Sequence, residues 1–203
     1  MRRRALLLLP AALLAVPLSH AAAEGGPQAP IGDLDSALLR IMQMGQNSPF
    51  AQRAAVLRPV IEQVFDLPQI LQVSVGLAWS SIPDAQKATL LDVFTRYTVA
   101  SYVANFDTYD GQRFDIAPHM RTVGHDQVVE TKLVPRAGDA TRIDYEMRQT
   151  AAGWKVVDVL VDGSISRVAV QRSDFRGLLN SGGPRKLIAS LERKVRNLQS
   201  GQS

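Results

Sequence analysis

One carboxylate lies inside the most apolar run of the sequence and is the first candidate for chemistry. The run is Val156 to Val161, and only Asp158 within it is polar. A carboxylate on an apolar strand loses its water, which raises its pKa and suits it to act as a general base, with Tyr145 as its hydrogen-bond donor. The alternative is an aspartate paired with Arg142 or Arg148, or one on a solvated sheet face. The sequence favours the alternative, because no catalytic histidine or cysteine accompanies Asp158.

Histidines and clustered acids are the remaining candidates for a metal site. His119 and His125 lie in one predicted loop, but no cysteine or carboxylate stands at ligand spacing from them. Asp107, Asp110 and Asp115 are close in sequence, but they lack the spacing of a calcium loop, which favours turn-forming acids. Neither a phosphate-binding glycine loop nor a Gly-x-Ser-x-Gly turn is present. We therefore expect no catalytic residue, no metal and no cofactor.

Helical periodicity dominates the first half of the chain. Two helices are predicted between Ile31 and Phe65, separated by the breaker at 45–49. A short helix over 67–76 and a long one over 83–106 follow, with Pro83 suited to the first helical position. The amino-terminal half is therefore expected to be helical.

A period of two replaces the helical period after Asp110-Gly111. Residues 129–133 and 142–148 alternate between apolar and polar, as half-buried antiparallel strands do. Residues 154–161 form a third strand that is apolar on both faces, and Ser173 and Pro184 then begin two further helices. The order predicts an α+β fold with amino-terminal helices, a curved antiparallel β-meander of about four strands, and carboxyl-terminal helices enclosing an apolar cavity.

The long helix carries more apolar surface than one packing seam needs. Its broad stripe consists of Leu90, Phe94, Tyr97, Val99, Tyr102, Val103 and Phe106. Trp79, Trp154 and Tyr145 add rings with polar tips, which are apt at the mouth of an apolar cavity. A solid, well-packed core explains the same periodicity, so the sequence leaves a cavity and a core as alternatives.

The first 23 residues have the three parts of a secretory signal: Arg2-Arg3-Arg4, an apolar run, and small residues ending at Ala23. The whole chain has 23 Lys+Arg against 19 Asp+Glu, and cleavage would remove three arginines and no acid, leaving 20 against 19. This balance argues against a nucleic-acid partner. We expect a signal peptide at 1–23, a flexible lead-in at 24–30, one domain at 31–198 and a tail at 199–203. A cysteine-free exported chain fits the periplasm.

Several ordered motifs resemble one known family. Arg58, Phe65-Asp66, Gly76 with Trp79, and the stretch from Phe94 to Tyr102 are similar to the amino-terminal half of the MlaC-like, or toluene-tolerance, lipid carriers. GWKVVDVLVDG and RSDFRGLLNSGGPRKLIASLERK resemble the carboxyl-terminal half of that family. DGSIS in place of the usual EGVS resembles the hopanoid-associated HpnM branch. The resemblance covers roughly 31–198.

The resemblance implies a lipid shuttle. Its ligand would be a phospholipid or a hopanoid, and its partners an outer-membrane lipoprotein complex and an inner-membrane ABC-transporter complex. The residues expected to line the pocket are apolar or aromatic side chains from the sheet, the long helix and the turn before it: Leu77, Trp79, Phe94, Tyr97, Tyr102, Phe106, Ile143, Tyr145, Met147, Val157, Val159, Val161, Ile165 and Val168. The basic last helix has two interpretations, a solvated face or a surface that docks on an anionic membrane or acidic partner.

Overall fold

A computed structural model describes residues 25–201 of the chain. The predicted signal peptide lies outside the described residues, and so do the last two residues of the predicted tail. The first helix begins at Gln28, inside the predicted lead-in, and the Gln28 Nε2 donates a hydrogen bond to the carbonyl oxygen of Ala117 at 2.9 Å. This contact ties the start of the helix to the loop after the first strand.

The predicted helices of the first half are present with small shifts at their ends. They are α1 (Gln28–Met44), α2 (Phe50–Val64), α3 (Leu67–Val75) and α4 (Asp84–Asn105), with a 3₁₀ turn at Gly76–Ser81 between the last two. Asp66 caps α3 by accepting a hydrogen bond from the Gln69 N–H at 3.1 Å. Pro83 lies one position before α4 and not inside it, and Asp84 occupies the first turn.

The sheet is antiparallel and has six strands, two more than the sequence predicts. They are β1 (Arg113–Ile116), β2 (Arg121–Val123), β3 (Asp126–Val134), β4 (Thr141–Thr150), β5 (Gly153–Val161) and β6 (Ile165–Ser166). The order is β1-β3-β4-β5-β6, and β2 also pairs with β3. The three strands that the sequence predicts by residue number, at 129–133, 142–148 and 154–161, are the long strands β3, β4 and β5, and the order of helices and strands confirms the α+β fold.

A β-bulge interrupts the pairing of β4 and β5. Tyr145 pairs with Val159, but Met147 pairs with Val156, so Val157 has no place in the regular register. The prediction that Val157, Val159 and Val161 share one face assumed strict alternation and is corrected by this shift. Val156 takes the face expected for Val157.

The carboxyl-terminal helix begins earlier than predicted. Helix α5 runs over Arg167–Gln199, with Ser166 as its cap accepting a hydrogen bond from the Ala169 N–H at 2.9 Å. The predicted cap, Ser173, lies inside the helix. Gly183, at φ 64°, and Pro184 break the helix where the sequence predicts separate helices.

One face of the sheet carries the core and the other carries charge. Tyr145 and Met147 are fully buried and pack in one hydrophobic cluster with α1 to α5. On the opposite face, Arg142 pairs with Asp144 at 2.7 Å and with Glu130 at 3.1 Å. The Asp66 N–H also donates to the Val156 carbonyl at 2.9 Å, which fastens the α2–α3 junction to β5.

Candidate functional site

An apolar cleft of about 390 Å³ lies between helices α3 and α4, strands β4 and β5, and the first turns of α5. Most of its lining is aliphatic or aromatic. The lining residues are Phe65, Leu67, Ile70, Phe94, Tyr97, Thr98, Ser101, Tyr102, Asn105, Phe106, Thr141, Ile143, Asp158, Val159, Val161, Arg167, Val168 and Gln171. Its size falls in the roughly 300–1,000 Å³ range of small-molecule sites.

Helix α4 forms one wall because its lining residues recur every three or four positions. At the end of that wall, the rings of Tyr102 and Phe106 stack at 5.9 Å, and Phe65 meets Tyr102 edge-on at 5.6 Å. These aromatic contacts hold the rings in place.

Two hydroxyls on the α4 wall are directed at the helix backbone. Thr98 Oγ1 donates to the Phe94 carbonyl at 3.0 Å, and Ser101 Oγ donates to the Tyr97 carbonyl at 2.8 Å. Since each hydroxyl proton is used within the helix, these positions offer mainly carbon surface and acceptor lone pairs. The wall is therefore less polar than its residue types indicate.

The sheet forms the facing wall through two cross-strand pairs. Ile143 lies opposite Val161, and Tyr145 lies opposite Val159. Ile143, Val159 and Val161 line the cleft, whereas Tyr145 is fully buried beneath it. Strand β5 thus contributes Val159 and Val161 to the cleft, and Tyr145 of β4 belongs to the core.

The structure brings eight of the predicted pocket residues together at the cleft. They are Phe94, Tyr97, Tyr102, Phe106, Ile143, Val159, Val161 and Val168. Tyr145, Met147 and Val157 are buried but do not line the cleft. The bulge between Glu146 and Met147 accounts for Val157, whereas Tyr145 and Met147 share the face of Ile143 but are fully buried.

The structure places three predicted residues elsewhere. Leu77 is 93% exposed on the 3₁₀ turn, and Ile165 is 51% exposed on the edge strand β6. Trp79 lies on the same turn as Leu77, beneath the Lys87 ammonium. Their apolar types indicated a pocket, but the turn and the edge strand direct them away from the cleft.

Sequence reasoning missed the α3 contribution and the polar lining. Leu67 and Ile70 are one helical turn apart, directly after the Phe65-Asp66 step, and this spacing was a usable signal. Arg167 and Gln171 were undetectable because the cap of α5 was predicted at Ser173, seven residues after the observed cap Ser166. Like Asp158, they are polar members of the lining.

Asp158 has a structural role that differs from both sequence interpretations. Its Oδ1 accepts from the Val159 N–H at 2.7 Å and from the Val168 N–H at 3.1 Å, and its Oδ2 accepts from Ser166 Oγ. Neither Arg142 nor Arg148 pairs with it; these arginines bind Asp144 and Asp126. The carboxylate fastens β5 to the first turn of α5, where free N–H groups favour an acceptor.

Among the described residues, two buried groups have side-chain oxygen atoms without a hydrogen-bond partner. They are the Asp35 carboxylate on α1 and the Tyr145 hydroxyl on β4. Burial raises the pKa of Asp35 from 3.8 to about 7, and burial raises the pKa of Tyr145 well above its usual range. Burial also raises the pKa of Tyr102, and the charge of Asp35 adds a smaller rise to the pKa values of Tyr102 and Tyr145, which places all three groups in one region of the core.

The lining of the cleft suits the binding of a largely apolar molecule. Within residues 25–201, no three potential ligands gather into a metal site. No helix in this range is long and apolar enough to cross a membrane. The cleft has a mainly apolar lining with a few polar side chains among it, a pattern that accommodates an amphipathic molecule.

Comparison with known proteins identifies the class. Residues 33–193 match the family model described as MlaC protein, so the chain belongs to the MlaC family. Among curated proteins, no significant match is found. Among solved structures, the chain is similar to the phospholipid-binding protein from Ralstonia solanacearum, solved in complex with a phospholipid. The two share 20% identity and a TM-score of 0.75, over 86% of this chain and 99% of the other. At this identity the likeness establishes the shared fold.

Proposed function

We propose that this protein is a lipid carrier that binds an apolar ligand without chemical change. The observation that carries the proposal is the cleft lined by Phe94, Tyr97, Ile143, Val159 and Val161. Burial of lipid tails is worth about 0.8 kcal/mol per methylene, so unaided transfer through water is very slow and a carrier must supply a dry surface. Membership of the MlaC family and the phospholipid bound by the Ralstonia relative support the same assignment.

The proposal extends to location and partners. The protein would be exported through a cleaved signal peptide at 1–23, leaving the lipid-binding domain at 31–198 in the periplasm. It would carry a phospholipid, or a hopanoid, between an outer-membrane lipoprotein complex and an inner-membrane ABC-transporter complex. These roles rest on the family resemblance and on the leader pattern in the sequence.

An enzyme using Asp158 is the less favoured assignment. A general base needs a lone pair free to take a proton from the substrate. In this protein three of the roughly four lone-pair sites of the Asp158 carboxylate already accept hydrogen bonds, from Val159, Ser166 and Val168. We therefore assign Asp158 to the structure of the cleft wall.

The test is organic extraction of the purified protein followed by lipid mass spectrometry. A near-stoichiometric phospholipid is expected, and a triterpenoid would retain the carrier while changing its cargo. Val159→Phe should reduce bound lipid several-fold, because the ring fills the cleft at a position where a strand tolerates aromatic residues. Leu160→Phe, one residue away and outside the cleft lining, is the matched control. Absence of lipid from the wild type, even after incubation with vesicles, would overturn the proposal.

A further inference from the structure

The 3₁₀ turn before α4 exposes an apolar side chain beside several cations. Leu77 is 93% exposed, and Trp79 on the same turn is half-buried. Leu77 lines a groove of about 420 Å³ together with Arg172 and Arg176 of α5. We call Leu77, Arg172 and Arg176 the Leu77 patch.

The groove holds its arginines close to the turn. Gly76 has φ +68°, a conformation that favours glycine, and a Cβ added there would lie 3.4 Å from the Arg172 Nε. The Arg172 guanidinium therefore rests against the backbone next to Leu77. Arg176 follows one helical turn later on the same side of α5.

The positive charge of the Leu77 patch is largely uncompensated. Within residues 25–201, no carboxylate lies within ion-pair distance of Arg172 or Arg176. Helix α5 as a whole carries eight basic and two acidic residues. The surface around Leu77 therefore attracts anions.

The Leu77 patch lies on the elements that also form a wall of the apolar cleft. Helix α3 supplies Ile70 to the cleft and leads directly into the turn that carries Leu77. On α5, Gln171 lines the cleft and Arg172 lines the groove, and Ser74 Oγ donates to Gln171 Oε1 at 3.1 Å. A surface bound at the patch would thus contact the same helix pair that encloses the ligand.

We propose that the Leu77 patch docks this protein on an anionic phospholipid bilayer. Leu77 inserts among the acyl chains, and Arg172 and Arg176 bind lipid phosphates. A bilayer is favoured over an acidic protein because an isolated, almost fully exposed leucine in a groove with two arginines matches a fluid apolar phase edged by phosphates. The carrier function gives docking a purpose, but the docking surface itself rests on the exposure of Leu77 and the charge of Arg172 and Arg176.

The test is flotation of protein purified from the periplasmic fraction with two kinds of vesicle. One is phosphatidylcholine alone, and the other contains phosphatidylglycerol. Binding is expected only to the second, with a loss in high salt. Leu77→Asp and the double variant Arg172→Glu/Arg176→Glu should each weaken it at least about tenfold, given the contribution of each surface cation and of the apolar contact.

The control variants make the same kinds of substitution at positions outside the Leu77 patch. Arg193→Glu/Arg196→Glu makes the same charge change near the far end of α5, and Val123→Asp alters another exposed apolar residue. Equal loss in these controls would overturn the patch as a specific site. Wild-type protein that carries lipid by mass spectrometry but floats with neither vesicle would overturn docking and leave the carrier function intact, with an acidic protein as the partner to seek.

Discussion

The Asp158 carboxylate accepts a hydrogen bond from the Val168 backbone N–H at 3.1 Å. This contact joins strand β5 to the first turn of α5, across the two-residue strand β6. The first N–H groups of a helix have no partner within the helix, so a carboxylate there is stabilising. The residue with the most catalytic appearance in the sequence thus holds a cleft wall in place.

Asp158→Ala should lower the free energy of unfolding by about 1–3 kcal/mol, because it leaves the Val168 N–H and Ser166 without their acceptor. Asp158→Asn should cost less, since its amide oxygen can still accept from Val168. Chemical denaturation measures both, and Asp139→Ala in an exposed loop is the control. An unchanged stability in Asp158→Ala would show that the contact is dispensable.

Tyr145→Phe should stabilise the protein. The Tyr145 hydroxyl is fully buried and has no hydrogen-bond partner, so its removal ends a desolvation cost of about 1 kcal/mol without loss of the ring. Thermal unfolding monitored by circular dichroism would record a higher midpoint. A lower midpoint would mean that the hydroxyl has a partner in solution, such as a buried water.

Asp35 should make stability fall with rising pH. Its pKa is about 7 in the folded protein and near 3.8 in the unfolded chain. Between these values the folded state keeps a proton that the unfolded state has lost, so the free energy of unfolding declines from about pH 4 to pH 7 by up to roughly 4 kcal/mol.

Asp35→Asn should remove this decline and be more stable than wild type at pH 8. Urea titrations at a series of pH values measure the effect, with the exposed neighbour Asp33→Asn as control. If the free energy of unfolding changed with pH in the same way in wild type and Asp35→Asn, Asp35 would not be the group that causes the decline.

The ion pair of Asp126 and Arg148 should make the free energy of unfolding rise with rising pH, the opposite of the effect of Asp35. Arg148 donates to both carboxylate oxygens, at 2.8 and 2.5 Å, and these bonds lower the pKa of Asp126. The contribution of this ion pair to the free energy of unfolding is complete above the ordinary aspartate pKa. It is lost as the pH falls through the lowered pKa of Asp126.

Arg148→Gln should cost about 1–2 kcal/mol at pH 7, since Arg148 is 44% exposed and solvent screens part of the interaction. Denaturation at pH 7 and at acid pH measures the change, and the difference from wild type should shrink on acidification. If the stability difference between wild type and Arg148→Gln grew at low pH, the ion pair would not stabilise the ionised form of Asp126.

The long elements were predictable because their periodicity extends over several turns or residue pairs. Helices α1 to α4 and strands β3 to β5 follow it closely. Strands β1, β2 and β6 have two to four residues, too few for alternation to be recognised. The α4 wall of the cleft was found for the same reason that its helix was, as a stripe of large side chains.

The other site residues depend on tertiary geometry that a pattern does not contain. Leu77 and Ile165 are apolar by type but exposed by position. Asp35 interrupts the apolar face of α1 beside Leu34 and Leu38, a signal that predicted only a helix. Asp158 required knowledge of where α5 begins, since its partner Val168 lies ten residues away.

The bulge in β5 can also be described as an insertion. If Val157 is left out, Trp154, Val156, Val159 and Val161 alternate without a fault, all on the face shared with Tyr145 and Met147. The strand is therefore two segments in the same phase with one extra residue between them, and what looked like an apolar run on both faces is an ordinary amphipathic strand that has been lengthened. Deleting Val157 would preserve which side chains face the helices while removing the local twist that a bulge adds.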